Sequence, residues 1–225
     1  IRLDRNIMSN EAIVNHHFQT PVWIFEKPEW VKSVNKVCDK YIKEAYTRDL
    51  KDKKVKKNND FGWSYHSSPL YLEPKLKELH DWVGATSHNF LDSMGYSLKN
   101  HTIFFTESWV QEFSKKGGGH HNSHIHGDNH VSAFYYLKCT KNTSRPIFHD
   151  PRLAAKMMKL PEKDSKEITM ANDKINYTPE PGTLIFIPAY LEHEYGVDDG
   201  KDEFRFIHFN LQAVRNEIIE GVKAQ

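Results

Sequence analysis

Cysteine, net charge and long apolar runs are what this sequence has least of. Only two of its 225 residues are cysteine, Cys38 and Cys139, too few for a disulfide framework and typical of a reducing compartment. Lys and Arg number 31 against 30 Asp and Glu, so a net charge of +1 leaves no strong field for nucleic acid or a membrane surface. No run approaches the roughly 18 apolar residues of a membrane span, and no signal-peptide pattern opens the sequence. We expect a cytoplasmic protein without nucleic-acid or membrane partners.

Hydrophobic residues, by contrast, make up 38% of the chain, enough for one sizeable core. Apolar stripes at three- and four-residue steps, from Val31 to Ala45 and from Pro74 to Met94, predict two amphipathic helices. After about residue 100 the segments become short, aromatic and β-branched. Predicted strands are 21–25, 101–106, 108–113, 131–139, 183–187 and 204–211, with 151–176 as an insertion or lid. We predict one domain over 1–225, with a helical support and the first strands over 1–100 and a jelly roll or barrel over 101–225.

Histidine is abundant: there are 14, and five of them lie between His120 and His130. In an extended strand, residues two apart project to the same side, so His124 and His126 can chelate one divalent metal. His126 and Asp128 form a second clip with the same spacing. The alternative is a polar, solvent-facing loop that is merely rich in histidine. Five histidines in eleven residues, flanked by glycines, favour the metal.

Two residues further along the chain would complete such a site. A catalytic ion needs a third ligand, and His193 follows a Pro-Gly turn and the apolar strand that ends at Pro188. Arg205 then lies in a strand that looks largely buried, where an unpaired guanidinium is costly. Its partner is either a protein carboxylate, as a structural ion pair, or a carboxylate that arrives with a ligand. The position of Arg205, twelve residues after His193, favours the carboxylate of a bound ligand as its partner.

The order of these motifs resembles the iron(II)- and 2-oxoglutarate-dependent oxygenases, most closely the branch found in marine bacteria and their phages. The matching stretches read His124-Ile-His-Gly-Asp-Asn-His-Val-Ser-Ala-Phe-Tyr-Tyr136, Pro181-Gly-Thr-Leu-Ile-Phe-Ile-Pro188, His193 and Arg205-Phe-Ile-His-Phe-Asn210. The match covers roughly the C-terminal half, and the four motifs in order are more specific than any one alone.

The resemblance implies a mainly β fold with flanking helices, a double-stranded β-helix of the jelly-roll or cupin-like type. It implies iron(II) held by His124, His126 and His193, with 2-oxoglutarate as co-substrate and ascorbate as an added reductant. Arg205 would pair with the far carboxylate of the keto acid, and Tyr136 and Asn210 would be further cofactor-binding residues. The implied activity is a dioxygenase, of the hydroxylase type, located in the cytoplasm, or in the host cytoplasm for a phage protein.

Some alternatives stay open at this point. The common superfamily triad has a carboxylate, which would make Asp128 a ligand in place of His124. A cupin-type metal-dependent isomerase or hydrolase shares the barrel and the histidine clip, and a non-enzymatic jelly-roll binding module would hold the metal structurally. For the oxygenase we expect a small molecule or a protein side chain as substrate, facing residues 61–71 and 151–176.

Overall fold

Ten strands and three α-helices lie within the residues that the computed structural model describes, namely 17–56, 59–154, 157 and 160–223. The start of the chain, where no signal-peptide pattern is seen, lies outside these residues. In chain order the elements are β1 (Trp23–Glu26), α1 (Pro28–Lys51), β2 (Ser64–His66), α2 (Lys77–Ser93), β3 (His101–Phe113), β4 (His121–His124), β5 (Val131–Lys138), β6 (Pro146–His149), β7 (Lys174–Asn176), β8 (Thr183–Pro188), β9 (His193–Tyr195), β10 (Arg205–Arg215) and α3 (Asn216–Lys223).

The strands form two antiparallel sheets. The larger has the order β1-β8-β5-β10-β3-β2, and the smaller has the order β4-β9-β6-β7. An aromatic barrel core packs inside the jelly roll. It consists of Phe113, Phe134, Tyr136, Cys139, Phe148, Ile185, Ile187, Leu191, Tyr195, Phe204 and Phe206. The predicted mainly β jelly-roll fold with flanking helices is confirmed. The single-domain division at residue 100 stays a prediction.

Helices α1 and α2 cover one face of the larger sheet. Pro28 is well placed as the first residue of α1, because an N–H at this position would have no acceptor within the helix. The predicted stripe of α1 is buried at Val34, Cys38 and Ile42, and that of α2 at Val83 and Phe90. These side chains form a helix-side core with strands β5, β8 and β10. Both predicted helices are confirmed, with a short 3-10 turn at Pro74–Leu76 leading into α2.

Strand β10 separates the two cores. Alternation sends Ile207 and Phe209 into the helix-side core, while Phe206 lies in the barrel core. Both faces of residues 205–211 are therefore buried, which explains why apolar side chains occur on both faces of this stretch. Its pairing with β5 shifts register between Arg205 and Phe206.

The structure departs from the predicted strands in two ways. Segments 101–106 and 108–113 are one continuous strand, β3. Five short strands, β2, β4, β6, β7 and β9, were not predicted, because three or four residues are too few to show a clear alternation. The insertion after β6 lacks a strand among its described residues until β7 begins at Lys174.

None of the described helices is both long enough and apolar enough to cross a bilayer.

Gly182 fixes the entry into β8. Its φ of 107° lies in the left-handed region, and a Cβ there would lie 2.7 Å from the Cα of Pro28. The Gly182 carbonyl also accepts a hydrogen bond from the Lys27 N–H at 2.8 Å. The predicted Pro-Gly turn therefore also anchors the start of α1 against the sheet.

Candidate metal centre

Three predicted ligands come together where β4 meets β9. His124 ends β4 and pairs directly with His193, the first residue of β9. His126 lies two residues beyond β4, where its N–H donates to the Ala189 carbonyl at 3.0 Å. Its ring centre is 4.9 Å from that of His124 and 5.0 Å from that of His193. The ligand nitrogens of all three lie within 4.8 Å of one another, a cluster that one ion can bridge.

Hydrogen bonds determine which nitrogen of these rings is free. Nδ1 of His124 lies 2.7 Å from the Asn122 carbonyl oxygen, and Nδ1 of His193 lies 2.8 Å from that of Leu191. Since a carbonyl oxygen only accepts, each Nδ1 carries the proton and each Nε2 keeps its lone pair in the neutral ring. Nε2 of His126 is 3.2 Å from Nε2 of His193. Nitrogens that converge at this distance need a proton or a metal ion between them, so the donor set fits a divalent metal such as iron(II).

Burial keeps these rings in the form that binds metal. Desolvation is the main cause that lowers the pKa of His193 to about 3 and the pKa of His126 to about 4. His193 has no exposed surface. At neutral pH both imidazoles are therefore unprotonated, and no proton has to leave them before a metal binds.

Asp128 lies apart from this cluster. It is exposed, its backbone has a φ of 62°, and it belongs to neither of the two ligand clusters found among the described residues. The geometry therefore favours the pairing of His124 with His126 over the pairing of His126 with Asp128. The carboxylate that does lie near His126 is Glu107, on the neighbouring strand β3.

The structure does not bring Arg205 to the metal cluster, which corrects the expectation that it clamps a keto acid. Its side chain points to the helix side of β10, where Nε donates to Glu112 Oε2 at 2.6 Å. Its Nη1 donates to Asp39 Oδ1 at 2.6 Å and to Asn35 Oδ1 at 3.2 Å, both on α1. With only 3% of its surface exposed, Arg205 is the centre of a buried ion-pair network that ties α1 to the barrel.

The two other predicted cofactor-binding residues are placed differently from each other. Tyr136 lies in the barrel core, with its hydroxyl 2.8 Å from the Tyr195 hydroxyl, and does not line the cavity beside the histidines. Asn210 is fully buried next to His126, with its Nδ2 3.1 Å from His126 Nδ1. Asn210 is thus close enough to influence the metal centre, and Tyr136 packs away from it.

A cavity of about 40 Å³ lies beside the three histidines. No Lys or Arg is among the described residues that line it. Trp109 and His208 stack in its wall with ring centres 4.7 Å apart, and Trp109 Nε1 and His208 Nε2 lack a hydrogen-bond partner among the described residues. The full lining is His66, Trp109, Gln111, His121, His124, His126, Phe134, His193, Tyr195, Phe206 and His208.

Sequence reasoning missed the contribution of β3 to this cavity, although alternation carried the signal. Val110 is fully buried in the helix-side core, so its neighbours Trp109 and Gln111 project to the other face, toward the metal cluster. Glu107 shares that parity. No recognised motif lies in this strand, so local sequence alone predicts no site residue there.

Residues 107–210, which contain every predicted site residue, match a family model described as "Putative 2OG-Fe(II) oxygenase". This stretch, 104 of the 225 residues, resembles the Fe(II)/2-oxoglutarate oxygenases. The family match thereby supports the resemblance carried by the four motifs, over the part of the chain in which all four lie. No curated protein sequence matches the chain.

Solved structures with TM-scores above 0.5 share the fold of this chain. EctD from S. alaskensis in its apo form superposes with a TM-score of 0.58 at 10% identity, covering 86% of this chain and 73% of that one. AviO1 from Streptomyces viridochromogenes Tue57 gives 0.56 at 11% identity, covering 86% and 90%. An oxidoreductase of the 2OG-Fe(II) oxygenase family from Burkholderia pseudomallei gives only 0.43 at 14% identity, covering 62% of this chain, which spans 58% of that protein's length.

Proposed function

We propose that this protein is an iron(II)- and 2-oxoglutarate-dependent dioxygenase of the hydroxylase type, with iron held by His124, His126 and His193. The observation that carries the proposal is the convergence of three imidazoles, two of them held with Nε2 free, within the stretch that matches the oxygenase family model. When bound, iron(II) and 2-oxoglutarate supply the oxidation of a substrate C–H bond, with the keto acid decarboxylated to succinate.

The proposed ligand set lacks the carboxylate of the common two-histidine, one-carboxylate triad. Three neutral imidazoles leave a bound iron(II) its full double positive charge. Such a centre attracts an anionic chelating ligand more strongly than a triad that has already cancelled one unit of charge. This supports a keto acid as the co-substrate, although Arg205 is committed elsewhere.

Trp109 is our candidate for contact with the far carboxylate of 2-oxoglutarate. Its Nε1–H lines the metal cavity without a partner among the described residues, and a buried donor without an acceptor is costly. The present cavity of about 40 Å³ is far smaller than the roughly 300–1,000 Å³ of typical small-molecule sites. Side chains in the wall must therefore move to admit the keto acid.

The cupin-type rival is no longer separated from the oxygenase by Arg205, since the contacts of that residue are structural. The family match over residues 107–210 now favours the oxygenase. The binding-module rival requires a fourth ligand to close the site, and neither described ligand cluster offers a fourth member.

The substrate is proposed to enter a cavity of about 440 Å³ next to the metal centre. Phe148 and Leu191 line this cavity on the side of the metal centre: the Phe148 ring centre is 6.3 Å from that of His193, and the Leu191 carbonyl oxygen is 2.8 Å from His193 Nδ1. Apolar residues from the insertion, including Ile168 and Met170, line the far side, and a two-pronged Arg152–Asp150 pair lies in the wall. A small molecule or protein side chain with a mainly apolar body suits this lining.

Finer assignments extend the proposal. We place the chain in the branch of marine bacteria and phages, supported by the stretch from His124 to Tyr136. Two free, buried cysteines support a cytoplasmic location, in the host for a phage protein. The balanced charge supports the absence of a nucleic-acid partner.

The experiment is an anaerobic titration of iron(II) into metal-free protein with and without 2-oxoglutarate. We expect a weak visible charge-transfer band that requires both components, followed by succinate when oxygen is admitted. His193→Ala should abolish the band, and His130→Ala should keep it, because His130 lies in neither ligand cluster. Iron binding without a band in the wild type would overturn the keto-acid proposal and move the function to the cupin-type rival.

A further inference from the structure

A carboxylate, an amide and a ligand imidazole meet behind the metal centre. Glu107 on β3 pairs in register with Asn210 on β10. Asn210 Nδ2 donates to Glu107 Oε2 at 2.5 Å and lies 3.1 Å from His126 Nδ1. The ligand atoms of Glu107, His126 and His208 lie within 4.8 Å of one another. No predicted role accounts for Glu107.

Metal binding changes what His126 needs from this cluster. When Nε2 binds a metal, a neutral imidazole carries its proton on Nδ1, and that N–H requires an acceptor. His124 and His193 already donate Nδ1–H to backbone carbonyls. His126 instead faces the Nδ2 of Asn210, which would set donor against donor.

The amide of Asn210 is not free to supply the acceptor. Its Oδ1 accepts a hydrogen bond from the buried Ser132 hydroxyl at 2.6 Å, which holds Nδ2 toward His126 and Glu107. The ligand atoms of Glu107 and His126 lie within 4.8 Å of each other, and Asn210 Nδ2 contacts both Glu107 Oε2 and His126 Nδ1. A rotation of the partly solvent-accessible Glu107 side chain can therefore bring its carboxylate to His126 Nδ1. A carboxylate is also the stronger acceptor, because it is charged.

We propose that Glu107 is a positioning residue that accepts the Nδ1 hydrogen bond of His126 in the metal-loaded protein. The resulting carboxylate–imidazole–metal relay returns to the three-histidine site part of the negative charge that a carboxylate ligand would have supplied. This inference rests on the proposed function, because it assumes that His126 binds iron.

A second metal ion bound by Glu107, His126 and His208 is the competing interpretation of the same cluster. It is less favoured because the N–H of Asn210 points between Glu107 and His126, where a cation would be repelled by its positive end. The two interpretations differ in metal stoichiometry, at one or two ions per chain.

The test compares wild type with Glu107→Gln, using zinc(II) as a redox-inert probe. Glutamine keeps the shape and an acceptor for Asn210, so the fold should survive, and circular dichroism checks this. We expect one zinc ion in both proteins and about tenfold weaker zinc affinity in the variant, the low end of the range for such partners because Glu107 is partly exposed. Glu78→Gln, an exposed glutamate on α2, is the matched control and should bind like wild type.

Proton NMR of the zinc-loaded proteins supplies a readout that lost packing alone would not produce. The His126 Nδ1 proton should be shifted far downfield in wild type and in Glu78→Gln, and should move upfield in Glu107→Gln as the charged acceptor becomes neutral. Unchanged affinity and an unchanged proton in Glu107→Gln would overturn the inference while the iron site stands. Two zinc ions in wild type would overturn it in favour of the second metal. Failure of wild type to bind any metal, or unchanged binding in His193→Ala, would overturn the proposed function and this inference with it.

Discussion

Replacing Arg205 with alanine separates a structural role from a keto-acid clamp. The substitution leaves Glu112, whose side chain is only 11% exposed, without its principal cation. Breaking a buried pair in this way costs about 3–5 kcal/mol. We expect the low end, about 3 kcal/mol, because Asp39 is 63% exposed and is screened by water, and because Lys138 remains 3.9 Å from Glu112.

Two quantities are measured for each variant: the stability of the metal-free protein, by urea or thermal unfolding, and the 2-oxoglutarate affinity of the iron-loaded protein. A loss of about 3 kcal/mol corresponds to a fall in Tm of roughly 6–12 °C for a domain of this size. Arg215→Ala is the matched control, the same residue type on the same strand in an exposed pair with Glu217, and should cost less than about 1 kcal/mol. A second variant, Arg205→Met with Glu112→Gln, removes both charges and should recover part of the loss. Unchanged stability with a large loss of 2-oxoglutarate affinity would refute the reasoning and restore Arg205 as the clamp.

Three further predictions concern the metal cavity. His193→Ala should weaken zinc binding at least tenfold in a competition titration, while His130→Ala should not. Trp109→Phe keeps an aromatic ring for stacking but removes the Nε1 donor. Because a hydrogen bond to a charged group is lost, the 2-oxoglutarate affinity measured by the charge-transfer band should fall roughly 10- to 100-fold. An unchanged affinity excludes Trp109 as the contact. Burial lowers the pKa of His121, His126 and His193 in the fold to about 3, 4 and 3, below their usual value near 6.5, so below pH 6.5 the unfolded chain binds protons that the fold does not. Metal-free stability should therefore fall from pH 6.5 downward, by on the order of 1 kcal/mol per ring at pH 5.5, and urea midpoints that do not change between pH 7.5 and 5.5 would contradict this.

The helices could be predicted because their buried residues recur every three or four positions, and strands β5 and β8 because most of their residues are apolar and buried. The stripe of α1 and the apolar runs of β5, β8 and β10 are the residues that fill the two cores. Strands β4 and β9 could not be predicted because they carry the ligands. Each has only three or four residues, and with His124 in β4 and His193 in β9 too few positions remain for an apolar pattern.

The site could be predicted where ligands are close in sequence and only partly where they depend on pairing. The two-residue spacing of His124 and His126 is local, so the sequence carries it directly. Alternation already separates Arg205 from His208 and Asn210, which lie on the opposite face of β10. The order of the motifs nevertheless favours Arg205 as a ligand contact. Only its contacts with Asp39 and Glu112 show that Arg205 lies on the helix side of β10, away from the metal cluster. Glu107 becomes visible only through the pairing of β3 with β10, which no local pattern determines.

The central claim is that three histidines hold iron for a keto acid, and anaerobic iron(II) titration with 2-oxoglutarate tests it most directly. We predict a charge-transfer band that needs both components, saturates at one iron per chain and is lost in His193→Ala but not in His130→Ala. A wild-type protein that binds iron yet gives no band and forms no succinate on exposure to oxygen would contradict the account.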